Sequence, residues 1–219
     1  MKIGIIGAGN IGGNLTRRLT KLGHQVQVAN SRGPESLADL VAETGAKAAT
    51  AATAAEGADL VVVTIPEKNI PSLPKGFLDG AKEGVVVIDT GNYYAQRRDG
   101  LIAEIEGGVT ESRWVANQIG HPVVKAFNGI YSVNIIEKAR PHGDPDRMAL
   151  PVAGDDPAAK KVVMDLIEEL GFDAVDAGSI DESWRQQPGT PVYGLVGDAK
   201  AVKEALAAAS PIRLPEWRA

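Results

Sequence analysis

The chain has 219 residues, 44% of them hydrophobic and 23% charged, which is enough apolar material for an ordinary core in one large or two small domains. A formal net charge of -5 leaves no basic surplus to neutralise a phosphate backbone, so no nucleic-acid partner is expected. With no cysteine the chain makes no disulfide, thiolate metal site or cysteine nucleophile, and its three histidines are not spaced as a metal pair, so no metal is expected.

In chain order, short Val- and Ile-rich runs alternate with helical stretches, the pattern of βα units stacked into a parallel sheet. The pattern predicts strands near residues 2–6, 25–29, 46–49, 59–64, 84–88, 122–126, 149–153 and 172–176, most without polar alternation because helices cover both faces. Helices are predicted over Asn10–Leu22, Pro34–Thr44, Ala51–Glu56, Leu101–Ile105, Glu111–Ile119 and Asp156–Leu170. Pro157 suits the first turn of the last of these, where a missing amide hydrogen costs nothing. Arg140–Arg147 carries two prolines, a glycine and two aspartates and reads as an exposed loop. Beyond Gly178, Pro188, Gly189, Pro191, Pro211 and Pro215 leave room for one more helix, Ala199–Ala209. Apolar runs such as Leu60–Ile65 fall far short of a bilayer span and the start lacks a signal-peptide profile, so a cytoplasmic protein without a membrane partner is expected.

The strongest chemical signal is Gly7-Ala8-Gly9-Asn10-Ile11-Gly12, which leaves the first strand and runs straight into the first helix. The first glycine permits the tight turn, the second lets backbone approach a pyrophosphate, and the third lets helix pack on strand, with the pyrophosphate over the helix amino end. Together with the strand–helix alternation it predicts an α/β fold, a Rossmann-type doubly wound, mostly parallel sheet. Residues 1–178 would form the NADP-binding domain and residues 179–219 a short C-terminal cap. Where NAD enzymes place an acidic residue on the ribose, this chain has Asn30-Ser31-Arg32. Arg32 can pair with a 2'-phosphate, and Ser31 and Asn30 can hydrogen-bond it; the alternative is a polar loop whose arginine points to water.

Three turns at later strand ends, Thr64-Ile65-Pro66, Asp89-Thr90-Gly91-Asn92 and Ala126-Phe127-Asn128, are expected to surround the nicotinamide ribose and ring. Read one by one, Pro66, Gly91 and Asn92 are equally well simple turn formers and Phe127 simple core. His24 and His121 are read as structural or solvated, and Asp89 as a turn former rather than a base. Trp184-Arg185 supports two readings: it closes over an acceptor, or Trp184 anchors the cap while Arg185 pairs with a nearby carboxylate.

On these residues the chain resembles the reductases that couple NADP to the deazaflavin coenzyme F-420, with their wider bacterial relatives. The matching stretches are Gly7 to Gly12, Asn30 to Arg32, Val62 to Pro66, Val124 to Asn128, Leu150 to Asp156 and Val175 to Gly178. The family's fold is also similar to the reductase domain of membrane metalloreductases, which pass hydride from NADPH to a flavin. The resemblance implies that Gly9, Asn10 and Ile11 touch the pyrophosphate, that Ser31 and Arg32 hold the 2'-phosphate, and that Ile65 and Pro66 flank the nicotinamide ribose. Ile130 and Ser132 would meet the nicotinamide. It implies an NADP(H)-dependent oxidoreductase with coenzyme F-420 or a flavin as second redox substrate, working as a homodimer. No catalytic side chain is assigned, because hydride transfer between two aromatic cofactors needs little acid or base from the protein.

The chain departs from the family at Gly33-Pro34-Glu35, where another basic residue is common, and at Tyr131, which follows Asn128-Gly129-Ile130 and would narrow the acceptor pocket. Three other readings stay open on the sequence: a hydroxy-acid or imino-acid dehydrogenase, for which the tail is short, an NADPH-dependent flavin or ferric reductase, and a nonenzymatic NADP(H)-sensing module.

Overall fold

A computed structural model describes residues 1–219. Six parallel strands make the main sheet: β1 (Lys2–Ile6), β2 (Gln25–Ala29), β3 (Lys47–Ala49), β4 (Leu60–Val63), β5 (Val86–Asp89) and β6 (Val124–Lys125). Their order is β3-β2-β1-β4-β5-β6, so the winding reverses between β1 and β4. A doubly wound sheet of this order binds ligands at that switch point, outside the carboxyl ends of its strands. Two further strands, β7 (Ala149–Val152) and β8 (Asp173–Asp176), pair in parallel with each other. The α-helices are α1 (Asn10–Lys21), α2 (Ala38–Thr44), α3 (Ala103–Glu106), α4 (Glu111–Ile119), α5 (Asn134–Glu137), α6 (Pro157–Glu169) and α7 (Ala199–Ala208). None is long and apolar enough to cross a membrane.

Successive strand side chains point to opposite faces, and here both faces are covered. Ile3, Ile5, Leu60, Val62 and Ile88 pack with Leu15 and Leu19 of α1 and with Val163 and Leu166 of α6. Ile6, Val61, Val63 and Val87 pack on the other side with Trp114 and Val115 of α4 and with Ile70 and Phe77. Two-sided burial is the reason the strands read as continuous apolar runs.

All eight predicted strands form, but not in one parallel sheet. The β7–β8 pair meets β6 through a single antiparallel bridge between Lys125 and Ala153, with N–O distances of 2.8 and 3.1 Å. The cause is local: Phe127 takes φ 62°, the chain's one non-glycine residue in the left-handed region, which turns the backbone off the sheet and leaves β6 two residues long. The expected helix Ala51–Glu56 is instead a run of turns. The Thr53 hydroxyl accepts from the Thr50 amide, a side-chain bond that competes with helical pairing, and Gly57 ends the run at φ 64°. Pro34–Leu37 forms a 3-10 turn ahead of α2, and α5 was not expected. The loop Arg140–Arg147 is largely exposed, yet its last residue is buried: Arg147 spans the Phe172 carbonyl, Glu168 and Asp173.

Beyond Gly178 the chain makes a 3-10 turn, Ile180–Gln186, opened by a reciprocal cap in which the Ser179 and Glu182 side chains each bond the other's backbone amide. It then reaches α7, whose Val202 and Leu206 pack against Ala149 and Val175.

Candidate functional site

The glycine loop sits at the switch point, and its three glycines answer to different needs. Gly7 has φ 114°, and a Cβ there would fall 2.2 Å from the Thr64 carbonyl oxygen. A Cβ on Gly12 would lie 1.8 Å from the Gly7 oxygen. The fold therefore demands both. Gly9 is different: at φ −75° and ψ −161° it is in a conformation open to any residue, and a Cβ there would meet nothing within 4 Å. Nothing in the protein calls for glycine at this position; a backbone-hugging ligand does. Gly9 opens α1, whose first turn has no side-chain cap and no acidic residue. Its amide hydrogens and the positive end of the helix dipole thus face the same open space, which suits an anion.

Two connected hollows run along the carboxyl edge of the sheet. The first, about 580 Å³, includes Gly9, Asn10, Arg17, Arg32 and Ser132. The second, about 380 Å³, includes Ile11, Ile65, Pro66, Asn92, Tyr94 and Tyr193. Asn10 and Ser132 belong to both, so the hollows form one groove. Asn14 of α1 donates to the Ser132 carbonyl at 2.8 Å, fixing the wall where they meet.

Of the residues the sequence singled out, Gly9, Asn10, Ile11, Arg32, Thr64, Ile65, Pro66, Asn92, Asn128, Ile130 and Ser132 all line this groove. Tyr131 lines it as well. Arg32 is exposed at the end of the first hollow. Asn30 is committed elsewhere, its amide oxygen accepting from the Arg32 amide at 3.0 Å and its nitrogen donating to Ser36 at 2.8 Å, so it shapes the loop. Ser31 is exposed beside it. Ala126 is a correction: it is wholly buried in the core cluster and takes no part in the groove wall. Of the two readings of Trp184-Arg185 the structure favours the cap anchor: Trp184 lines a separate hollow of about 480 Å³ with Gln187 and Arg213, and Arg185 stacks on its ring at 4.5 Å. His24 bonds Glu169 and His121 bonds the Pro122 carbonyl, as structural residues would. His142, Glu168 and Asp173 come together, but Arg147 takes both carboxylates at 2.6 Å.

Behind the second hollow lies a buried charge cluster that sequence reasoning missed. Lys125, fully buried, donates to the Gly91 carbonyl at 2.6 Å and lies 3.3 Å from Asp89 and 3.9 Å from Glu111. Asp89 also accepts from the Gly91 amide at 2.8 Å and from Ser112 at 2.6 Å, so the predicted turn former is the hub of the network. Arg213 reaches back from the tail to Glu111 at 2.8 Å. Glu67, fully buried, pairs with Arg98 at 3.0 Å, while its second oxygen has no partner. Burial pushes Lys125 down, but Asp89, Glu111 and Glu67 outweigh it and hold the ammonium above its ordinary pKa. Glu67 is driven well above the carboxylate range by burial and then by repulsion from Asp89, with Lys125 opposing.

The raised Glu67 pKa has a sign that can be measured. Its contribution to stability is fully present below the unfolded value of about 4.3 and is lost as pH rises through the folded pKa. Glu67→Gln mimics the protonated carboxyl, so denaturant titrations are expected to find it close to wild type near pH 4 and relatively more stable at pH 8. An equal loss at both pH values would mean that Glu67 is ionised and held by Arg98.

The strand order, the uncapped glycine-opened helix and the groove beside it define a dinucleotide-binding oxidoreductase of the Rossmann class. Residues 2–93 match the family of coenzyme F-420-dependent NADP oxidoreductases. The Sinorhizobium meliloti protein SMa0349 is 30% identical, with 89% of this chain and 94% of that one aligned at a TM-score of 0.74. The chain belongs to this family and is an NADP-dependent oxidoreductase. An Arthrobacter sp. FB24 protein named for an F-420-dependent NADP-reductase activity shares the fold at a TM-score of 0.68, with 24% identity over 84% of this chain and 87% of that one. Escherichia coli (strain K12) YjhV is 58% identical over 53 residues, a match spanning 24% of this chain and 39% of the length of YjhV.

Proposed function

We propose that the protein passes hydride between NADP(H) in the glycine-loop groove and a planar acceptor of the deazaflavin (coenzyme F-420) or flavin type in the second hollow. The observation carrying this reading is the continuity of the groove. It runs from the open space over Gly9 past Asn10 and Ser132 to a wall that includes Tyr94, Tyr131 and Tyr193. A hydroxy-acid or imino-acid dehydrogenase that used a lysine as its general acid finds none in Lys125, which is wholly buried and bonded to Gly91 and Asp89.

When bound, NADPH supplies the hydride, and the chain's task is to hold two rings in register. Gly9, Asn10 and Ile11 would receive the pyrophosphate, Arg32 with Ser31 the 2'-phosphate, and Ile65 and Pro66 the nicotinamide ribose. Ile130 and Ser132 would flank the nicotinamide, and Asn92, locked to Asn128 by two amide hydrogen bonds, would form a rigid side of the acceptor hollow. A homodimer that shields the open side completes the proposal. Light scattering tests it, and a mass of 22.9 kDa unchanged by NADPH would rule it out.

Steady-state oxidation of NADPH against coenzyme F-420, flavin mononucleotide, flavin adenine dinucleotide and ferric chelates tests the acceptor class. Turnover with flavins or ferric chelates alone points to the reductase alternative; tight NADPH binding with no turnover points to a sensing module. Arg32→Ala is expected to weaken NADPH by about 1.5–3 kcal/mol, as for hydrogen bonds to a charged group, and to leave NADH nearly unchanged. Equal losses for both nucleotides in a binding titration would remove Arg32 from the 2'-phosphate site.

A further inference from the structure

Two phenols far apart in the chain meet at the acceptor hollow. Tyr94 follows β5 and Tyr193 lies in the cap, 99 residues later, yet their hydroxyls are hydrogen-bonded to each other and both residues line the hollow. Packing fixes both rings. The Arg98 guanidinium lies 4.9 Å from the Tyr94 centroid, and Trp217 sits 6.1 Å from Tyr94 and 6.4 Å from Tyr193. A phenol pair joined by one hydrogen bond uses one of its two hydroxyl hydrogens, so the other is free for a ligand, and the shared bond polarises it.

Three neighbouring polar side chains on this wall, Asn92, Asn128 and Arg98, already donate to protein groups. Asn128 donates to Asn92 and to the Gln186 carbonyl, and Asn92 donates to the Asn128 carbonyl. Arg98 is held by Glu67, Asp99 and the Asn92 carbonyl. Burial, and then the bond to Tyr193, lifts the Tyr94 pKa above the ordinary phenol value, so the Tyr94 hydroxyl keeps its hydrogen.

We propose that Tyr94 and Tyr193 act as one catalytic hydrogen-bond donor to the acceptor, aimed at the ring nitrogen or carbonyl oxygen where negative charge collects as hydride arrives. This rests on the hydride-transfer reading above. Acceptors of the flavin and deazaflavin class carry a fused pyrimidine-dione, and hydride addition adds two electrons and one proton. The C–H bond of the dihydronicotinamide breaks, a bond from that hydrogen to the acceptor ring forms, and the acceptor is left with one negative charge on its dione as the nicotinamide becomes cationic. The phenol hydrogen meets that charge, and water supplies the proton that later neutralises it. A donor placed where charge develops strengthens its bond in the transition state at little reorganisation cost.

The test compares Tyr94→Phe, Tyr193→Phe and the double variant, which keep the rings and remove only hydroxyls. At least one single variant is expected to lose roughly 10- to 100-fold in kcat with the panel's best acceptor, while the NADPH dissociation constant stays at the wild-type value. The double variant should lose no more than the weaker single, because the two hydroxyls act as a unit. A second readout needs no turnover: fluorescence titration of oxidised and dithionite-reduced coenzyme F-420 and flavin mononucleotide. Wild type should bind the reduced, anionic form more tightly than the oxidised one, and the double variant should lose that preference. A wild type with no such preference, or a double variant that keeps both it and full kcat, overturns the proposal. A wild type that reduces no acceptor and binds neither chromophore overturns the hydride-transfer reading and this proposal with it.

Discussion

Gly9→Val is expected to fold like wild type and to lose both NADPH and NADH by at least about 100-fold, a difference near 2.8 kcal/mol. The structural half of the expectation comes from the open space around a Cβ at this position and from its unstrained backbone, which leave room to start a side chain without a clash. Valine is a poor helix N-cap, and the cost to stability should stay at about 1 kcal/mol. The binding half follows because the side chain would stand where a pyrophosphate must approach the amides of α1. Calorimetric titration with each nucleotide, beside a thermal melt, reads both halves. Gly12→Ala is the contrast: its Cβ would strike the Gly7 carbonyl, and it should lose stability as well as binding. A Gly9→Val protein that binds NADPH with wild-type affinity would move the phosphate site away from this loop.

Lys125→Met should be among the most destabilising single changes available in the chain. It removes the cation that faces Asp89, Glu111 and Glu67 inside a dry cluster, and it removes the bond to the Gly91 carbonyl. Breaking a buried pair by deleting one partner costs about 3–5 kcal/mol, which in a domain of this size lowers the melting point by roughly 6–20 °C. The deficit should shrink between pH 8 and pH 5. Without Lys125 the Glu67 and Glu111 carboxyls, already raised by burial, lose the cation that lowers them, so their contribution to stability is retained at low pH and lost as pH rises. A melting point within about 2 °C of wild type at pH 8 would mean that water or rearranged arginines replace the ammonium. Because Lys125 fastens the turn at Gly91 and Asn92, weaker acceptor affinity should accompany the loss of stability.

The part of the fold legible in the sequence was the part governed by local pattern. Eight strands and the helices α1, α4, α6 and α7 announced themselves through apolar periodicity, Pro157 and the spacing of the tail prolines. Partner choice was not legible, because nothing between Val124 and Ala153 records that Phe127 leaves the sheet with positive φ and that β7 enters antiparallel. The glycine loop and the Ile65-Pro66 turn were placed on the groove from their positions at strand ends, where a dinucleotide constrains the backbone, whereas Ser132 came from the family resemblance alone. Tyr94, Arg98, Tyr193 and the Lys125 cluster were not legible, since each depends on contacts across 30 or more residues, as in the Arg98–Glu67 and Tyr94–Tyr193 pairs. One signal for the cluster was present, a lysine ending a strand that is otherwise apolar, which only makes sense if carboxylates wait for it inside.

One isolated bridge between Lys125 and Ala153 ties the six-stranded sheet to the β7–β8 pair, and strand margins lie at β3 of the one and β8 of the other. An open strand margin is a template for adding a strand from another molecule, and both margins here are blunted. On one side β3 is three residues long and begins with the exposed Lys47. On the other, β8 both begins and ends with aspartate, and the Ala174 amide donates to a Glu168 carboxylate oxygen at 3.0 Å in place of a neighbouring strand. Both margins are thus poor templates for a strand added from another molecule.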